Sequence, residues 1–136
     1  MAQGRLRFPF LALALFALLA ALWAGWIRIG WKWPPLQPSL PGSHGPLMVA
    51  GFLGSLIALE RAVALNRRWM YLGPLLSGLG GLILATGINN VLGSSLMTFG
   101  SLFLVAIFYV ILRQHTTWYT VTMALGVLAF SLGNAL

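Results

Sequence analysis

Five long apolar stretches, separated by short polar segments, make up most of the chain. A bilayer core of about 30 Å needs about 20 apolar residues per helix, and the stretches are close to that length. The predicted spans are residues 8–27, 45–65, 72–91, 95–112 and 117–136. The pattern therefore predicts an all-α, multi-pass transmembrane helix bundle with five spans, which forms a single transmembrane domain over residues 1–136.

The connecting segments carry residues that are typical of turns and helix ends. The first connection is the only long one, and its four prolines favour a stiff, extended path along the membrane surface. Ser43 is the predicted N-cap of span 2. Asn89 and Asn90 are expected to form the C-cap of span 3 and the turn after it. The four prolines are Pro34, Pro35, Pro38 and Pro41.

Small residues recur at helical spacing in three of the spans. In lipid, helices associate through close backbone approach, which small residues permit. We therefore expect these stripes to pack inside the bundle, and a homodimer seam on span 3 is the alternative. The stripes are Gly51, Ser55, Ala58 and Ala62 in span 2, Gly73, Ser77, Gly81 and Ala85 in span 3, and the pairs Thr122–Gly126 and Ala129–Gly133 in span 5.

Composition excludes a water-soluble fold and several kinds of chemistry. The chain is 60% hydrophobic and only 7% charged, against about a quarter charged in an ordinary soluble domain. The net charge is +7, but the basic residues are scattered between apolar stretches, which argues against a nucleic-acid partner. Cysteine is absent, so disulfides, thiolate metal sites and cysteine nucleophiles are excluded. The expected surroundings are the lipid bilayer.

The distribution of basic residues predicts the orientation of the chain. Lys and Arg beside spans are held on the cytoplasmic side, and an N-in, C-out chain leaves only Arg28 and Lys32 outside. This predicts a protein of the bacterial cytoplasmic membrane. A cleaved secretory signal is the alternative for span 1, but its apolar run exceeds the about 7–15 residues of a signal peptide. The inner basic residues are Arg5, Arg7, Arg67, Arg68 and Arg113.

His44 is the candidate ligand residue, at the outer end of span 2. Neutral imidazole is a common ligand of heme iron and copper, so His44 is either a heme b or copper ligand or an interfacial histidine packed in a turn. Its helix face continues through the small-residue stripe of span 2. Met48 on that face, and Asn134 on the same side of the membrane, are the candidate neighbours of a cofactor. No catalytic residue is predicted, and this chain alone is not expected to be an enzyme.

A second ligand for such a cofactor is missing from the sequence. His115 lies in the inner loop between spans 4 and 5, so about 30 Å of hydrocarbon separates it from His44. The two histidines cannot ligate one iron. We therefore expect further helices around this domain, supplied by a longer protein of which this is the N-terminal part, by a homo-oligomer or by partner subunits.

Glu60 is the only acidic residue. An ionised carboxylate near hydrocarbon costs a few kcal/mol, so the sequence predicts an ion pair at the inner end of span 2. Arg61 is adjacent but points about 100° away, whereas Arg67 lies two turns further along the same face. An ion-coupling or proton-relay role for Glu60 is the alternative. In a protein without a cofactor, the same residues would belong to a packing or transport component.

The segment His44-Gly45-Pro46-Leu47-Met48-Val49 resembles the start of the second transmembrane helix of heme-copper oxidase catalytic subunits. The longer segment from His44 to Gly54 is similar to the corresponding helix in heme- and copper-containing membrane proteins of the bacterial nitric-oxide response. The resemblance implies that His44 is a ligand within a larger bundle. The later ligating histidines of those families have no counterpart in this sequence, and the end of span 2 looks more like a bacterial multi-pass membrane protein group of unassigned function.

Overall fold

The computed structural model describes the backbone of residues 2–136 and the side chains of residues 7–136; the side chain of Arg5 lies outside this part. Residues 2–136 contain no β-strand, which agrees with the all-α prediction. The chain forms five long helical segments. They are α1 (Ala2–Arg28), α2 (Leu40–Leu65), α3 (Arg68–Thr86), α4 (Asn90–Gln114) and α5 (Trp118–Ala135).

Four of the helices are long and apolar enough to cross a membrane, namely α1 from Arg7 onwards, α2, α3 and α4. The 18-residue helix α5 is not in this group. Many large apolar side chains lie on the outside of the bundle, for example Phe8, Leu19 and Leu132. Contiguous apolar surface of this extent is rare on soluble monomers, and it suits contact with lipid.

Successive helices run in opposite directions, so the bundle has two distinct ends. One end carries most of the arginines and is called the arginine end; there Phe10 of α1 packs on Tyr71 of α3, with ring centroids 5.6 Å apart. The other end carries the long loop between α1 and α2 and is called the long-loop end. There Gln37 Nε2 of the loop donates a 3.3 Å hydrogen bond to the carbonyl of Leu84, near the end of α3. The arginine end carries Arg7, Arg61, Arg67, Arg68 and Arg113; Arg28 and Lys32 lie at the long-loop end.

The centre of the bundle is a crossing of three helices on small residues. A Cβ atom at Gly51 of α2 would lie 3.1 Å from the Cβ of Ala17 in α1 and 3.5 Å from the Cα of Gly81 in α3. The small-residue stripes of spans 2 and 3 therefore pack inside one chain, as expected. The alternative of a homodimer seam on span 3 is wrong, because Gly73, Ser77, Gly81 and Ala85 are already buried.

The closest backbone approach is between α3 and α4. A Cβ atom at Gly80 would lie 2.7 Å from the carbonyl oxygen of Gly93, and one at Gly100 would overlap Ser77 Oγ and lie 2.8 Å from Ser77 N. These two helices can pack so closely only because both positions lack a side chain.

The small residues of span 5 do not pack as the spacing predicts. Thr122, Gly126, Ala129 and Gly133 are exposed, and a Cβ atom at either glycine would meet nothing within 4 Å. Helix α5 instead packs on α4 through a face that buries Thr120, Ala124 and Ser131. The exposed and the buried face of α5 both have small residues at helical spacing. On the buried face, Ser131 Oγ and Ser101 Oγ of α4 form a 2.8 Å hydrogen bond.

Two predicted caps differ from the structure. Gly87, with φ of +70°, is the left-handed residue that ends α3. Asn89 does not cap α3; its side chain accepts a 2.9 Å hydrogen bond from Leu92 N at the start of α4. Ser43 makes no cap because α2 already begins at Leu40, and its hydroxyl donates to the Ser39 carbonyl.

Candidate functional site

Helix α2 changes its hydrogen-bonding pattern beside His44. It begins as a 3-10 turn at Leu40–Ser43 and continues as one α-helical turn at His44–Pro46. Residues Leu47–Gly54 form a π-helix, and Ser55–Leu65 return to the α-helix. π-Helical segments are rare and are frequently found at functional sites. His44 therefore stands directly before the most irregular part of a membrane-length helix.

The imidazole of His44 is held against α1. Its Nδ1 lies 2.7 Å from the carbonyl oxygen of Ala21, and a Cβ atom at Gly25 would lie 3.0 Å from both Cε1 and Nδ1 of the ring. A carbonyl oxygen only accepts hydrogen bonds, so Nδ1 is the donor and carries the proton. In the tautomer with the proton on Nδ1, the lone pair lies on Nε2.

This arrangement leaves Nε2 available for a further contact. Nε2 has no hydrogen-bond partner among residues 7–136, and His44 as a whole is half-buried. Histidines that bind metals almost always donate their other ring N–H to a carbonyl or carboxylate, which fixes the tautomer and the ring orientation. The bond to Ala21 does both for His44.

The two predicted cofactor neighbours pack against different helices. Met48, four residues after His44, is half-buried and packs against the core of alanines and leucines at this end. Asn134 lies against α4, where its backbone carbonyl accepts a 2.8 Å hydrogen bond from Thr98 Oγ1. Its Nδ2 is buried without a hydrogen-bond partner. Both residues stay predictions as neighbours of a cofactor at His44.

His44 is not among the lining residues of three cavities formed by the described part of the chain. An apolar groove of about 320 Å³ lies between α2, α4 and α5, around Gly54 and Phe130. A second cavity, of about 420 Å³, lies between α1, α3 and Leu36 of the long loop. The third, of about 650 Å³, lies between α4 and α5 and includes Asn90 and Asn134.

The described residues supply a single imidazole for a cofactor at this end. Residues 7–136 contain no group of three or more His, Asp or Glu side chains that could hold a metal ion. His115 is exposed at the arginine end, just after α4, and so is far from His44, as the sequence predicts. A heme or copper ion at His44 would therefore need its remaining ligands from outside these residues.

The residues that position His44 were not recognised from the sequence. Ala21 and Gly25 belong to a stripe on α1 that also includes Ala14, Ala17 and Ala24, and all four alanines are almost completely buried. The signal was present, because this stripe has the same helical spacing as those of spans 2 and 3. Gly25 allows the ring of His44 to approach α1 closely enough for the Ala21 bond.

Tryptophans hold the long loop over the end of α1. Trp33 in the loop packs against Trp23 and Trp26, with ring centroids 4.3 and 4.6 Å apart. Trp23 Nε1 also donates a 3.1 Å hydrogen bond to the carbonyl of Pro34. Amphipathic rings such as these are enriched at membrane–water interfaces. Their contacts with one another keep the loop close to the end of the bundle that carries His44.

The ion pair of Glu60 is with its neighbour Arg61. Arg61 Nη2 lies 3.4 Å from Glu60 Oε1, and the Glu60 side chain is 65% exposed. Arg67 takes part in no ion pair among the side chains of residues 7–136. The predicted ion pair between Arg67 and Glu60 is wrong, because α2 ends at Leu65. Asn66 is left-handed, with φ of 51°, and Arg67 is extended, so Arg67 does not continue the helix face of Glu60.

The family model of a domain of unknown function, DUF8744, matches residues 7–136. The chain belongs to the DUF8744 family. The match covers all five helices, so the family domain includes both His44 and the arginine end. The chain matches no curated protein and no solved structure. The DUF8744 family description assigns no activity or ligand, so functional arguments for this chain begin with its own residues.

Proposed function

We propose that this DUF8744 protein is an integral protein of the bacterial cytoplasmic membrane, with five spans and an N-in orientation. The lengths and apolar surfaces of α1 to α4 support the membrane location. The charge difference between the two ends supports the orientation, because cytoplasmic loops carry an excess of Lys and Arg. The fifth span is α5, which is antiparallel to α4 and packed along it.

Reporter fusions test the orientation. A reporter placed after Arg68 or Arg113 should be cytoplasmic, and one placed after Ile88, between α3 and α4, should be external. Reversed readings at these three sites would contradict N-in. A fusion after Leu136 should be external if α5 crosses the membrane and cytoplasmic if it does not.

We further propose that His44 is a ligand of heme b or copper. The observation that supports this most is the hydrogen bond from Nδ1 to the Ala21 carbonyl, which leaves the Nε2 lone pair without a partner. The resemblance of the His44–Val49 segment to the ligand helix of heme-copper oxidases supports the same assignment. A bound heme or copper would supply electron transfer or gas binding.

The other ligands would come from a second copy of the chain, from later helices or from a partner subunit. Met48 would lie beside such a group, on the same helix face as His44. Asn134 would contribute only if the cofactor extended across to α4.

The test is a spectrum of the detergent-purified protein, produced with ample heme and copper. The wild type should show a Soret band or bound copper, and His44→Ala should lose it. His115→Ala is the matched control, because it removes the other histidine at the opposite end and should leave the spectrum unchanged. A wild-type protein that carries neither heme nor copper would refute the assignment.

The second candidate is a packing or transport component without a cofactor. It is favoured by the single imidazole at the His44 site and by the short bond from His44 to Ala21, which by itself joins α2 to α1. In such a protein, His44→Ala would lower the stability of the bundle, and the wild type would show neither a Soret band nor bound copper. Glu60 would anchor the arginine end or couple an ion there.

A further inference from the structure

Two arginines at the arginine end have a buried nitrogen without a partner. Arg7 Nε on α1 and Arg61 Nε on α2 are both shielded from solvent and form no hydrogen bond with the part of the chain that the structure describes. A buried polar group without a partner costs free energy, and more so when it is charged. An unpartnered buried group of this kind calls for an explanation, and a bound ion or water is one of those that occur in native proteins.

The two arginines lie at the same depth in the bundle. Helices α1 and α2 cross at Ala17 and Gly51; Arg7 lies ten residues before Ala17, and Arg61 ten residues after Gly51. At 1.5 Å per residue, each arginine is about 15 Å from the crossing. Because the helices are antiparallel, both arginines lie towards the same end, where α1 also contacts the last α-helical part of α2.

Arg7 lies on the face of α1 that packs into the bundle. It precedes Phe10, Ala14 and Ala17 at helical spacing, and the two alanines are at most 1% exposed. Phe10 contacts Tyr71 at the start of α3. Arg7 therefore lies on the face of α1 that packs towards the other helices, and its Nε is shielded from solvent.

The protein itself cannot neutralise these arginines. Glu60 is the only acidic residue of the chain, and its carboxylate already contacts Arg61 Nη2 from an exposed position. That contact leaves Arg61 Nε and the whole of Arg7 without an acidic partner. An external anion would supply the acidic partner that the described residues lack.

The geometry points to a phosphate group. We propose that Arg7 and Arg61 together bind the phosphate of an anionic phospholipid at the arginine end of the bundle. Guanidinium groups match phosphate oxygens with paired N–H donors, and basic sites between transmembrane helices are known positions for anionic headgroups. Exposed apolar side chains continue from this end along both helices, with Phe8 and Leu15 on α1 and Ile57 on α2. They would contact the acyl chains.

The test compares lipid binding by the full chain and its variants in detergent micelles. The probes are phosphatidylglycerol, phosphatidylcholine and inorganic phosphate, and the readouts are lipid retention in native mass spectrometry and the shift in thermal stability. Arg7→Gln and Arg61→Gln should each weaken phosphatidylglycerol binding about tenfold or more, since charge-assisted hydrogen bonds are lost. Phosphatidylcholine retention should not change, and inorganic phosphate should produce no comparable stabilisation.

Arg113→Gln is the matched control. It removes one charge from the same end, but the Arg113 guanidinium already donates to Tyr109 Oη, so phosphatidylglycerol binding should fall clearly less than in the other two variants. Equal losses in all three variants would reduce the effect to general charge attraction and overturn the proposal. Stabilisation by inorganic phosphate as strong as that by the lipid would overturn the choice of a phospholipid.

Lysine variants cover the case in which a glutamine variant fails to fold. Arg7→Lys and Arg61→Lys keep the charge but lose the paired donors of the guanidinium. They should remain folded and bind phosphatidylglycerol more weakly than the wild type. Unchanged binding in both lysine variants would contradict a site built on guanidinium geometry.

Discussion

Gly25 and His44 fit together without space for one additional carbon atom: a Cβ at Gly25 would lie 3.0 Å from both Cε1 and Nδ1 of the imidazole. The ring can therefore stay within 2.7 Å of the Ala21 carbonyl only while position 25 has no side chain. The direction of Nε2 therefore depends on two residues of α1: the Ala21 carbonyl, which accepts the hydrogen bond, and Gly25, which leaves space for the ring.

Gly25→Ala should displace the imidazole and weaken its hydrogen bond to Ala21. Overpacking of this kind typically costs about 1–3 kcal/mol, which should appear as reduced resistance to unfolding by SDS in mixed micelles. Gly45→Ala, directly after His44, is the control, because a Cβ there would meet nothing within 4 Å. If Gly25→Ala were as stable as Gly45→Ala, the close fit would be wrong.

Gly100→Ala should lower the free energy of unfolding by loosening the contact between α3 and α4. The effect should exceed that of an alanine substitution on the exposed side of α5. The new carbon would overlap Ser77 and press on the Gly73 carbonyl, 3.0 Å away. We expect a loss of about 3 kcal/mol or more, at or above the upper part of the usual range for overpacking. Gly126→Ala has open space and should change the stability little. The measurement is the unfolding free energy of both variants in the same detergent.

The hydrogen bond between Ser101 and Ser131 should contribute little by itself. The two hydroxyls are buried and 2.8 Å apart, but Ser101 Oγ also donates to the Thr98 carbonyl over 2.7 Å. Polar contacts between transmembrane helices average about 0.6 kcal/mol in double-mutant cycles. A cycle with Ser101→Ala and Ser131→Ala should give a coupling energy of that size. A coupling energy above about 2 kcal/mol, well beyond the average for such contacts, would contradict the prediction.

Glu60→Gln should change the stability by less than about 1 kcal/mol, because exposed ion pairs contribute about 0–1 kcal/mol. The carboxylate is 65% exposed, and its contact with Arg61 is 3.4 Å long. A thermal unfolding series of the wild type and the variant at low and high salt measures the effect. A decrease of several kcal/mol in the free energy of unfolding would contradict an exposed ion pair between Glu60 and Arg61.

The general fold was predictable because a continuous apolar stretch of about 20 residues in lipid satisfies its backbone hydrogen bonds within itself as a helix. The positions of α1 to α5 follow from that constraint and from the turn residues between them. The packed stripes of α2 and α3 were predictable for a similar reason, since small residues such as Gly51 and Gly81 permit close crossing. His44 could be singled out because imidazole is uncommon in so apolar a chain.

Details that depend on local backbone geometry were not predictable from helical spacing. Extending an ideal helix past Leu65 places Arg67 beside Glu60, but the left-handed Asn66 ends the helix first. The π-helical spacing of residues Leu47–Gly54 has no signal in the pattern of apolar positions either. Which of the two small-residue faces of α5 packs depends on the fit to α4, a second helix that spacing within α5 does not describe.

The π-helical segment makes α2 tolerant of a change in chain length beside His44. A π-helix accommodates more residues per turn than the α-helix around it, so deletion of one residue between Leu47 and Gly54 would favour a return to α-helical spacing. The larger rotation per residue of the α-helix, about 100°, would then largely offset the rotation lost with the deleted residue. The imidazole would therefore keep roughly its direction towards Ala21 and Gly25. An insertion that the segment did not absorb would instead turn His44 by about 100° relative to the rest of α2.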